Sequence, residues 1–167
     1  MKLFLLRHGI AVDDDPSGQQ SDRERPLSAK GIKRMRKAAQ GIARIEDSFD
    51  RIVASPYVRA VQTAGILAET LNLEDRVEEV QELALESSAE RVIAKLIDYR
   101  EFNKLLVVGH QPLLGQTVSS LLTGSTGMDI EFKKGGLCCI EVDTLPAKSA
   151  ALHCLLTSKQ LRQIAGS

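Results

Sequence analysis

The sequence lacks an excess of charge of either sign. Its 167 residues include 22 Lys and Arg and 22 Asp and Glu, so the formal net charge is zero. A molecule without net charge has no net field that would concentrate nucleic acid or an anionic membrane around it. We therefore expect neither nucleic acid nor membrane among its partners.

Paired cysteines and long hydrophobic runs are missing as well. The three cysteines are an odd number, and Cys138 and Cys139 are adjacent in an apolar run, which predicts reduced, buried thiols rather than a disulfide framework. No apolar stretch reaches the roughly 18 residues of a transmembrane helix. Arg7 and His8 interrupt the N-terminal apolar run after Leu6, which argues against a signal peptide. The sequence therefore predicts a cytoplasmic protein.

The composition is that of an ordinary globular chain. Hydrophobic residues make up 43% of the sequence and charged residues 26%, far from the low hydrophobicity and high net charge of disordered chains. No linker, internal repeat or low-complexity tract divides it. We expect a single domain over residues 1–167.

Short apolar runs alternate with segments of helical periodicity along the chain. The runs predict strands and the periodic segments predict amphipathic helices. The predicted order is strand 3–6, a helix N-capped by Ser28, strand 51–54, helix 58–71, strand 77–80, a helix from about Ser87, strand 104–109, helix 113–122, and strands 137–142 and 151–156 joined around Pro146. This order predicts an α/β three-layer sandwich, in which a mostly parallel central sheet with one late antiparallel strand has helices on both faces.

A long loop separates the first strand from the first helix. Residues Asp13–Pro26 are rich in Asp, Ser, Gln, Gly and Pro without periodicity, and loops of this length are usually functional or mobile. The loop contains three consecutive aspartates, Asp13, Asp14 and Asp15. They could form a metal site or supply a proton, but acidic loop residues are mostly solvated, and we interpret these three as solvated. The role of the loop stays open.

Polar side chains follow three of the predicted strands. The first strand is followed by Arg7, His8 and Gly9, the second by Ser55 and Arg59, and the fourth by Gly109 and His110. Ligands of open parallel sheets bind outside the carboxyl ends of the strands. We therefore expect two histidines and two arginines to converge there.

Two arginines with two histidines favour phosphoryl transfer. An arginine fork matches phosphate oxygens and stays charged at any relevant pH, a neutral imidazole is a nucleophile, and a protonated second histidine stabilises charge on the transferring group. The three histidines show no metal-type spacing, so we expect no metal, and His153 is interpreted as structural. Ser55 lacks the glycines of a nucleophile elbow and is interpreted as the start of a helix.

Three motifs resemble those of the histidine phosphatase (phosphoglycerate mutase-like) superfamily, in the family's order. They are Leu6-Arg7-His8-Gly9, the segment Ser55-Pro56-Tyr57-Val58-Arg59-Ala60-Val61-Gln62-Thr63-Ala64, and Val108-Gly109-His110-Gln111-Pro112. The resemblance implies the phosphoglycerate mutase-like fold, phosphorylation of His8, a phosphate clamp of Arg7 and Arg59, and His110 as the fourth member of the pocket. Gly9 and Gln111 join the implied substrate-binding residues, and no cofactor is implied.

The segment Arg25-Pro26-Leu27-Ser28 with Gly31 resembles the SixA-like branch, the phosphohistidine phosphatases, as does the shortness of the chain. Larger members carry an insertion that caps the pocket and supplies a proton-donating glutamate. Glu82 falls where that donor lies, Glu86 competes with it, and a loop aspartate or no donor at all are the other possibilities.

The resemblance predicts a phosphatase that acts through a phosphohistidine at His8, with a phosphohistidine-bearing protein as its substrate. An uncapped pocket accepts a phosphorylated side chain on a protein surface, whereas a lid serves a small metabolite better. Two alternatives are a phosphatase or mutase for small phosphate esters and a non-catalytic module that binds phosphoproteins. Basic residues cluster in the first third of the chain, where they form a solvated helix face or a rim that guides an acidic partner: Arg23, Arg25, Lys30, Lys33, Arg34, Arg36 and Lys37.

Overall fold

A six-stranded sheet forms the centre of the molecule, in the strand order β3-β2-β4-β1-β5-β6. The structure, a computed structural model, describes residues 1–13, 21–145, 147 and 149–166. The strands are β1 (Lys2–Arg7), β2 (Arg51–Ala54), β3 (Val77–Glu79), β4 (Lys104–Gly109), β5 (Leu137–Val142) and β6 (Ala150–Leu156). The helices are α1 (Ala29–Ile45), α2 (Val58–Leu71), α3 (Ala89–Leu96), α4 (Leu113–Thr123) and α5 (Ser158–Ile164).

Strands β1 to β4 pair parallel with one another, whereas β5 pairs antiparallel with both β1 and β6. The predicted fold, a mostly parallel sheet with one late antiparallel strand, is confirmed. The central strands are apolar at nearly every position because both of their faces are covered.

Helices cover both faces of the sheet and give it two cores. Phe4 and Leu6 of β1 pack in one cluster with residues of α1, α2 and α5. Leu3 and Leu5 point to the opposite face and pack with residues of α3 and α4. The alternation of side chains along a strand therefore divides the apolar residues between two layers of helices.

Helix α1 lies unusually close to the segment that follows β1. A Cβ atom on Gly31 would lie 1.9 Å from the carbonyl oxygen of Ile10, so only glycine fits there. The predicted N-cap is confirmed, because the Ser28 hydroxyl accepts a hydrogen bond from the Gly31 amide at 3.1 Å and donates one to the Ile10 carbonyl at 3.2 Å. Helix α1 is thereby fixed against the backbone beside His8.

Some boundaries differ from the prediction. Helix α3 begins at Ala89, because Ser88 and not Ser87 caps it by accepting a hydrogen bond from the Arg91 amide. Helix α5 was not predicted, although Thr157 and Gln160 form a capping box at its start. Pro146, the predicted centre of the β5–β6 hairpin, lies outside the described residues.

Within the described ranges, no helix has the length and apolar character required to cross a membrane.

Candidate active site

Three adjacent strands bring the predicted site residues together at one edge of the sheet. Strand β4 lies between β1 and β2, so the residues that follow these strands meet at their carboxyl ends. The rings of His8 and His110 lie 5.1 Å apart between centroids. The predicted convergence of both histidines is confirmed by this distance.

His8 is buried, with 6% of its surface exposed, and its hydrogen bonds define its tautomer. Nδ1 lies 2.7 Å from the carbonyl oxygen of Gly9. A carbonyl oxygen only accepts, so Nδ1 carries the proton and Nε2 keeps its lone pair. Arg59 Nε donates to that lone pair at 3.3 Å.

The charge state of His8 follows from its surroundings. Burial lowers the pKa of His8 to about 3, and the positive charges of Arg59 and Arg7 act in the same direction, while the hydrogen bond to Gly9 opposes them. The imidazole is therefore neutral at physiological pH, as a nucleophilic histidine requires.

Gly9 connects His8 to helix α2. Its carbonyl accepts from His8, and its amide donates to the Thr63 hydroxyl at 3.1 Å, which in turn donates to the Arg59 carbonyl at 2.7 Å. A Cβ on Gly9 would lie 3.2 Å from the side chain of Leu27. Gly9 therefore orients the His8 ring through its backbone.

Arg59 lies in the first turn of α2 and is almost completely buried, with 2% of its surface exposed. Its guanidinium stacks on the Tyr57 ring at 4.8 Å. Nη1 donates to the carbonyl oxygen of Asp22 at 2.5 Å and Nη2 to its carboxylate at 2.8 Å. All three nitrogens of this guanidinium are thus engaged by His8 and Asp22.

Asp22 is a site residue that the sequence did not predict. It belongs to a short 3₁₀ helix, Asp22–Glu24, and its side chain is 44% exposed. Burial alone would raise the pKa of Asp22, but hydrogen bonds from Arg59 and Arg25 hold that pKa below its ordinary value. The carboxylate is ionised and occupies the guanidinium fork of Arg59.

Arg7 contributes a second cation at the end of β1. Nη1 donates to the Phe132 carbonyl at 2.5 Å, whereas Nε is buried and has no hydrogen-bond partner among the described residues. Burial lowers the pKa of Arg7, with Glu131 opposing the shift, but an arginine stays charged in proteins. A buried guanidinium with a spare donor suits an anion.

His110 is buried, with 1% of its surface exposed, and is held by Ser55. Its Nε2 lies 2.7 Å from the Ser55 hydroxyl, and its Nδ1 has no partner within the described part of the chain. Burial lowers the pKa of His110 to about 4, Arg59 and Arg7 lower it further, and Asp22 and Glu86 oppose them. His110 is therefore neutral in this state, not protonated.

Ser55 does not start helix α2, contrary to our interpretation of the sequence. Tyr57 is the N-cap residue of that helix, and Val58 is its first residue. The Ser55 hydroxyl accepts from the Tyr57 amide at 3.4 Å and contacts His110. Ser55 lies in the turn between β2 and α2, where its hydroxyl orients the His110 ring.

The two candidate proton donors, Glu86 and Glu82, differ in how they are connected to the histidines. Tyr57 packs edge-on against the His110 ring at 4.9 Å, and its hydroxyl donates to Glu86 at 2.6 Å. This hydrogen bond holds the pKa of Glu86 below its ordinary value. Glu82 instead lines a groove of about 620 Å³ together with Glu86 and Lys95, and no hydrogen bond or ion pair of the described residues joins it to the histidines.

Gln111 forms a hydrogen bond with the segment that precedes β5. Its Nε2 donates to the Ile130 carbonyl at 2.9 Å, and its Oε1 is buried without a partner among the described residues. Arg7 bonds the carbonyl of Phe132 in the same segment. Gln111 and Arg7 thus fix this segment next to the pocket.

The remaining polar candidates lie outside this cluster. His153 pairs with Glu141 at 3.0 Å on the β5–β6 hairpin, and both are substantially exposed. Asp13 is exposed, while Asp14 and Asp15 lie outside the described residues. The described residues contain no group of three or more His, Cys, Asp or Glu arranged to hold a metal ion. Cys138 and Cys139 are buried free thiols.

Comparison with known proteins agrees with this geometry. The family model of the histidine phosphatase superfamily (branch 1) matches residues 3–86. The chain is 32% identical over 128 residues to the phosphohistidine phosphatase SixA of Escherichia coli (strain K12), which covers 75% of this chain and 77% of that protein.

Solved structures give the same result for the fold. The structure of the protein histidine phosphatase SixA in complex with tungstate superposes with a TM-score of 0.84 at 26% identity, over 96% of this chain and 99% of that one. The α-ribazole phosphatase of Shigella flexneri shares the fold, with a TM-score of 0.73 at 22% identity over 95% of this chain and 97% of that one. The chain therefore belongs to the SixA-like branch of the histidine phosphatase superfamily and is a phosphatase with the phosphoglycerate mutase-like fold.

Proposed function

We propose that this phosphatase removes phosphate from phosphohistidine on a protein and passes through a phosphohistidine at His8. The observation that carries the proposal is the state of His8: a buried, neutral imidazole whose Nε2 lone pair faces the Arg59 guanidinium. A lone pair beside a cation is the arrangement that an anionic phosphoryl group needs in order to reach a nucleophile.

In the first step, Arg59 Nε gives up its hydrogen bond to His8 Nε2, and the freed Nε2 lone pair attacks the phosphorus atom in line. A new N–P bond forms as the P–N bond to the substrate imidazole breaks, and the leaving imidazole takes up a proton. Positive charge develops on His8, and the Gly9 carbonyl that accepts from Nδ1 stabilises it. In the second step, water attacks the phosphorus and loses a proton, phosphate leaves, and His8 regains its lone pair.

Arg7, Arg59 and His110 hold the transferring phosphoryl group in this proposal. Arg59 exchanges its contacts with Asp22 for contacts with phosphate oxygens. His110 is neutral without substrate, and the negative charge of the phosphate raises its pKa so that it becomes a charged donor. The Ser55 hydroxyl keeps the His110 ring in place through its contact with Nε2.

Glu86 is the better placed of the two glutamates to protonate the leaving group. It contacts Tyr57, which packs on His110, whereas Glu82 has no such connection among the described residues. Glu86 is ionised in this state, but the approach of a phosphate raises the pKa of a nearby carboxylate. An imidazole on a labile P–N bond also needs less help than an alkoxide, so the loss of either glutamate should cost little.

A protein substrate is supported by the absence of a lid in the described structure. The segment between α2 and α3 contains two 3₁₀ turns and the three-residue strand β3, and no inserted domain. An open pocket accepts a histidine that projects from a protein surface. The SixA relatives are named for the same activity.

A single domain over residues 1–167 and a cytoplasmic location remain predictions from the sequence.

The experiment is a comparison of substrates with one catalytic variant and one control. Phosphate release is measured from a phosphohistidine peptide, from p-nitrophenyl phosphate and from 3-phosphoglycerate, using the wild type, His8→Ala and His153→Ala. We expect fast release from the phosphohistidine peptide, a loss of about a thousandfold or more in His8→Ala, and no loss in His153→Ala.

A phosphatase for small esters is the second candidate, favoured by the shared fold of the α-ribazole phosphatase. Turnover of p-nitrophenyl phosphate or 3-phosphoglycerate that exceeds turnover of the phosphohistidine peptide would move the protein to that class while keeping the role of His8. Tight peptide binding without phosphate release would contradict both enzymes.

A further inference from the structure

A second positively charged surface adjoins the active site. We call it the basic groove: a cleft of about 310 Å³ whose walls carry the cations Arg34, Lys133, Lys134, Lys159 and Arg162. Its floor includes the backbone of Gly9 and Gly135. The cations come from three separate parts of the chain, namely α1, the segment before β5, and α5.

The basic groove has almost no compensating negative charge. None of the described residues that line it is Asp or Glu. Lys133 pairs with Glu131, but Arg34, Lys134 and Lys159 are exposed and take part in no ion pair within the described part of the chain. Arg162 is half-buried, and its Nε has no hydrogen-bond partner there. Cations gathered in this way repel each other, and an anionic ligand relieves the repulsion.

The basic groove is continuous with the backbone of the nucleophile. Gly9, on its floor, follows His8 directly. The Gly135 amide, also on its floor, donates to the carbonyl oxygens of Arg7 at 3.1 Å and His8 at 3.0 Å. An extended peptide advances about 3.3 Å per residue, so side chains within a few residues of a phosphohistidine bound at His8 reach the basic groove.

The size and place of the basic groove favour protein carboxylates as its ligand. A cleft of about 310 Å³ admits a few side chains, whereas a nucleic-acid site is an extended positive patch or stripe. We propose that the basic groove binds Asp and Glu side chains next to the phosphohistidine of the substrate protein and selects acidic substrates. This inference rests on the proposed function and adds a specificity site to it.

The test uses two phosphohistidine peptides that differ only in charge. One has Glu on both sides of the phosphohistidine and its twin has Gln at the same positions. We expect the wild type to have a kcat/KM about tenfold higher for the Glu peptide at low salt, mostly through KM, and the preference to shrink as salt screens the charges. The double variant Lys134→Glu/Lys159→Glu should lose the preference and keep its activity on p-nitrophenyl phosphate.

A matched control separates the basic groove from the net charge of the protein. Lys33→Glu/Arg100→Glu changes the net charge equally, and both residues are exposed and outside the basic groove. It should keep the preference for the Glu peptide. An equal kcat/KM for both peptides in the wild type, or an unchanged preference in Lys134→Glu/Lys159→Glu, overturns the inference.

A binding measurement decides the inference even if the proposed function fails. Unphosphorylated versions of the two peptides are titrated into ¹⁵N-labelled wild type, and the amide shifts are recorded. Shifts at Gly9, Lys134, Gly135 and Lys159 with the Glu peptide and not with the Gln peptide support the basic groove, whether or not phosphohistidine is hydrolysed. Identical shifts with both peptides, or none, contradict it.

Discussion

Arg59 links the two sides of the candidate site, because it contacts His8 and an acidic residue, Asp22, at once. Its Nε donates to His8 Nε2 and its two Nη groups donate to Asp22. Asp22 keeps the buried guanidinium paired when no phosphate is bound, which avoids the cost of an unpaired buried charge. If Arg59 binds phosphate as we propose, Asp22 competes with the phosphate for the same nitrogens.

Replacement of Asp22 by Asn should therefore strengthen phosphate binding. Asp22→Asn keeps the shape of the side chain and removes the competing charge, so we expect the inhibition constant of inorganic phosphate to fall by roughly threefold to tenfold. The measurement is competitive inhibition of p-nitrophenyl phosphate hydrolysis. Glu24→Gln, in the same 3₁₀ helix, is the control; weaker phosphate binding in Asp22→Asn would show that Asp22 positions Arg59 instead of competing.

The low pKa values of the two histidines predict how stability depends on pH. Burial lowers the pKa of His8 to about 3 and that of His110 to about 4, from an ordinary value of 6.5. Below pH 6.5 the unfolded chain binds protons that the folded chain does not, so the free energy of unfolding falls as the pH falls. The decrease from pH 7 to pH 5 should be of the order of 1–2 kcal/mol for each histidine.

Urea unfolding of the wild type and His8→Gln at pH 7 and pH 5 measures this effect. Because glutamine does not titrate, His8→Gln should lose less stability between the two pH values than the wild type. The same decrease in both proteins would mean that burial does not lower the pKa of His8 in the folded state.

At the scale of elements, the approach of α1 to the segment after β1 positions His8. The Gly31 Cα lies so close to Ile10 that an added Cβ would be 1.9 Å from its carbonyl oxygen. Gly31→Ala must therefore displace either the helix or the backbone at Ile10, two residues after His8. Overpacking of this kind typically costs about 1–3 kcal/mol.

We expect Gly31→Ala to be destabilised in urea unfolding and to lose phosphatase activity. Gly65→Ala, in the middle of α2, is the matched control because no atom lies within 4 Å of its added Cβ. Alanine is a better helix former than glycine, so Gly65→Ala should be stabilised by about 0.5–1 kcal/mol. Equal stability of Gly31→Ala and the wild type would contradict the close packing of α1.

The strands and long helices were predictable because their local patterns are strong. Residues 3–6 and 105–108 are short apolar runs, rich in Leu and Val and typical of a strand covered on both faces, and Ser28 marks the start of α1. Helix α5 was missed because it has only seven residues and one buried side chain, Leu161. Its capping box at Thr157 was the available signal.

The chemistry of the site was predictable in part. His8, Arg7 and His110 follow strand ends, where ligands of parallel sheets bind, so their convergence was expected. Asp22 was not, because it reaches Arg59 across 37 residues of sequence and no local pattern marks the contact. The connection of Glu86 to the site was not predictable either, because it runs through a hydrogen bond from Tyr57, 29 residues away in sequence.

At the scale of the whole molecule, a net charge of zero conceals a separation of charge. The cations of the basic groove lie beside the pocket that contains Arg7 and Arg59, so positive charge is concentrated on this side of the molecule. Such a field accelerates the approach of anionic substrates and depends on salt. Substrate choice is therefore expected to depend on surface charge as well as on the pocket.

The most direct test of the central claim is to trap the phosphorylated enzyme. The wild type and His8→Ala are mixed with a phosphohistidine peptide, quenched in alkali within milliseconds, digested and analysed by mass spectrometry. Our account predicts a phosphate on His8 in the wild type and none in the variant, which should also release no phosphate. A phosphate on another residue, or continued turnover in His8→Ala, would contradict it.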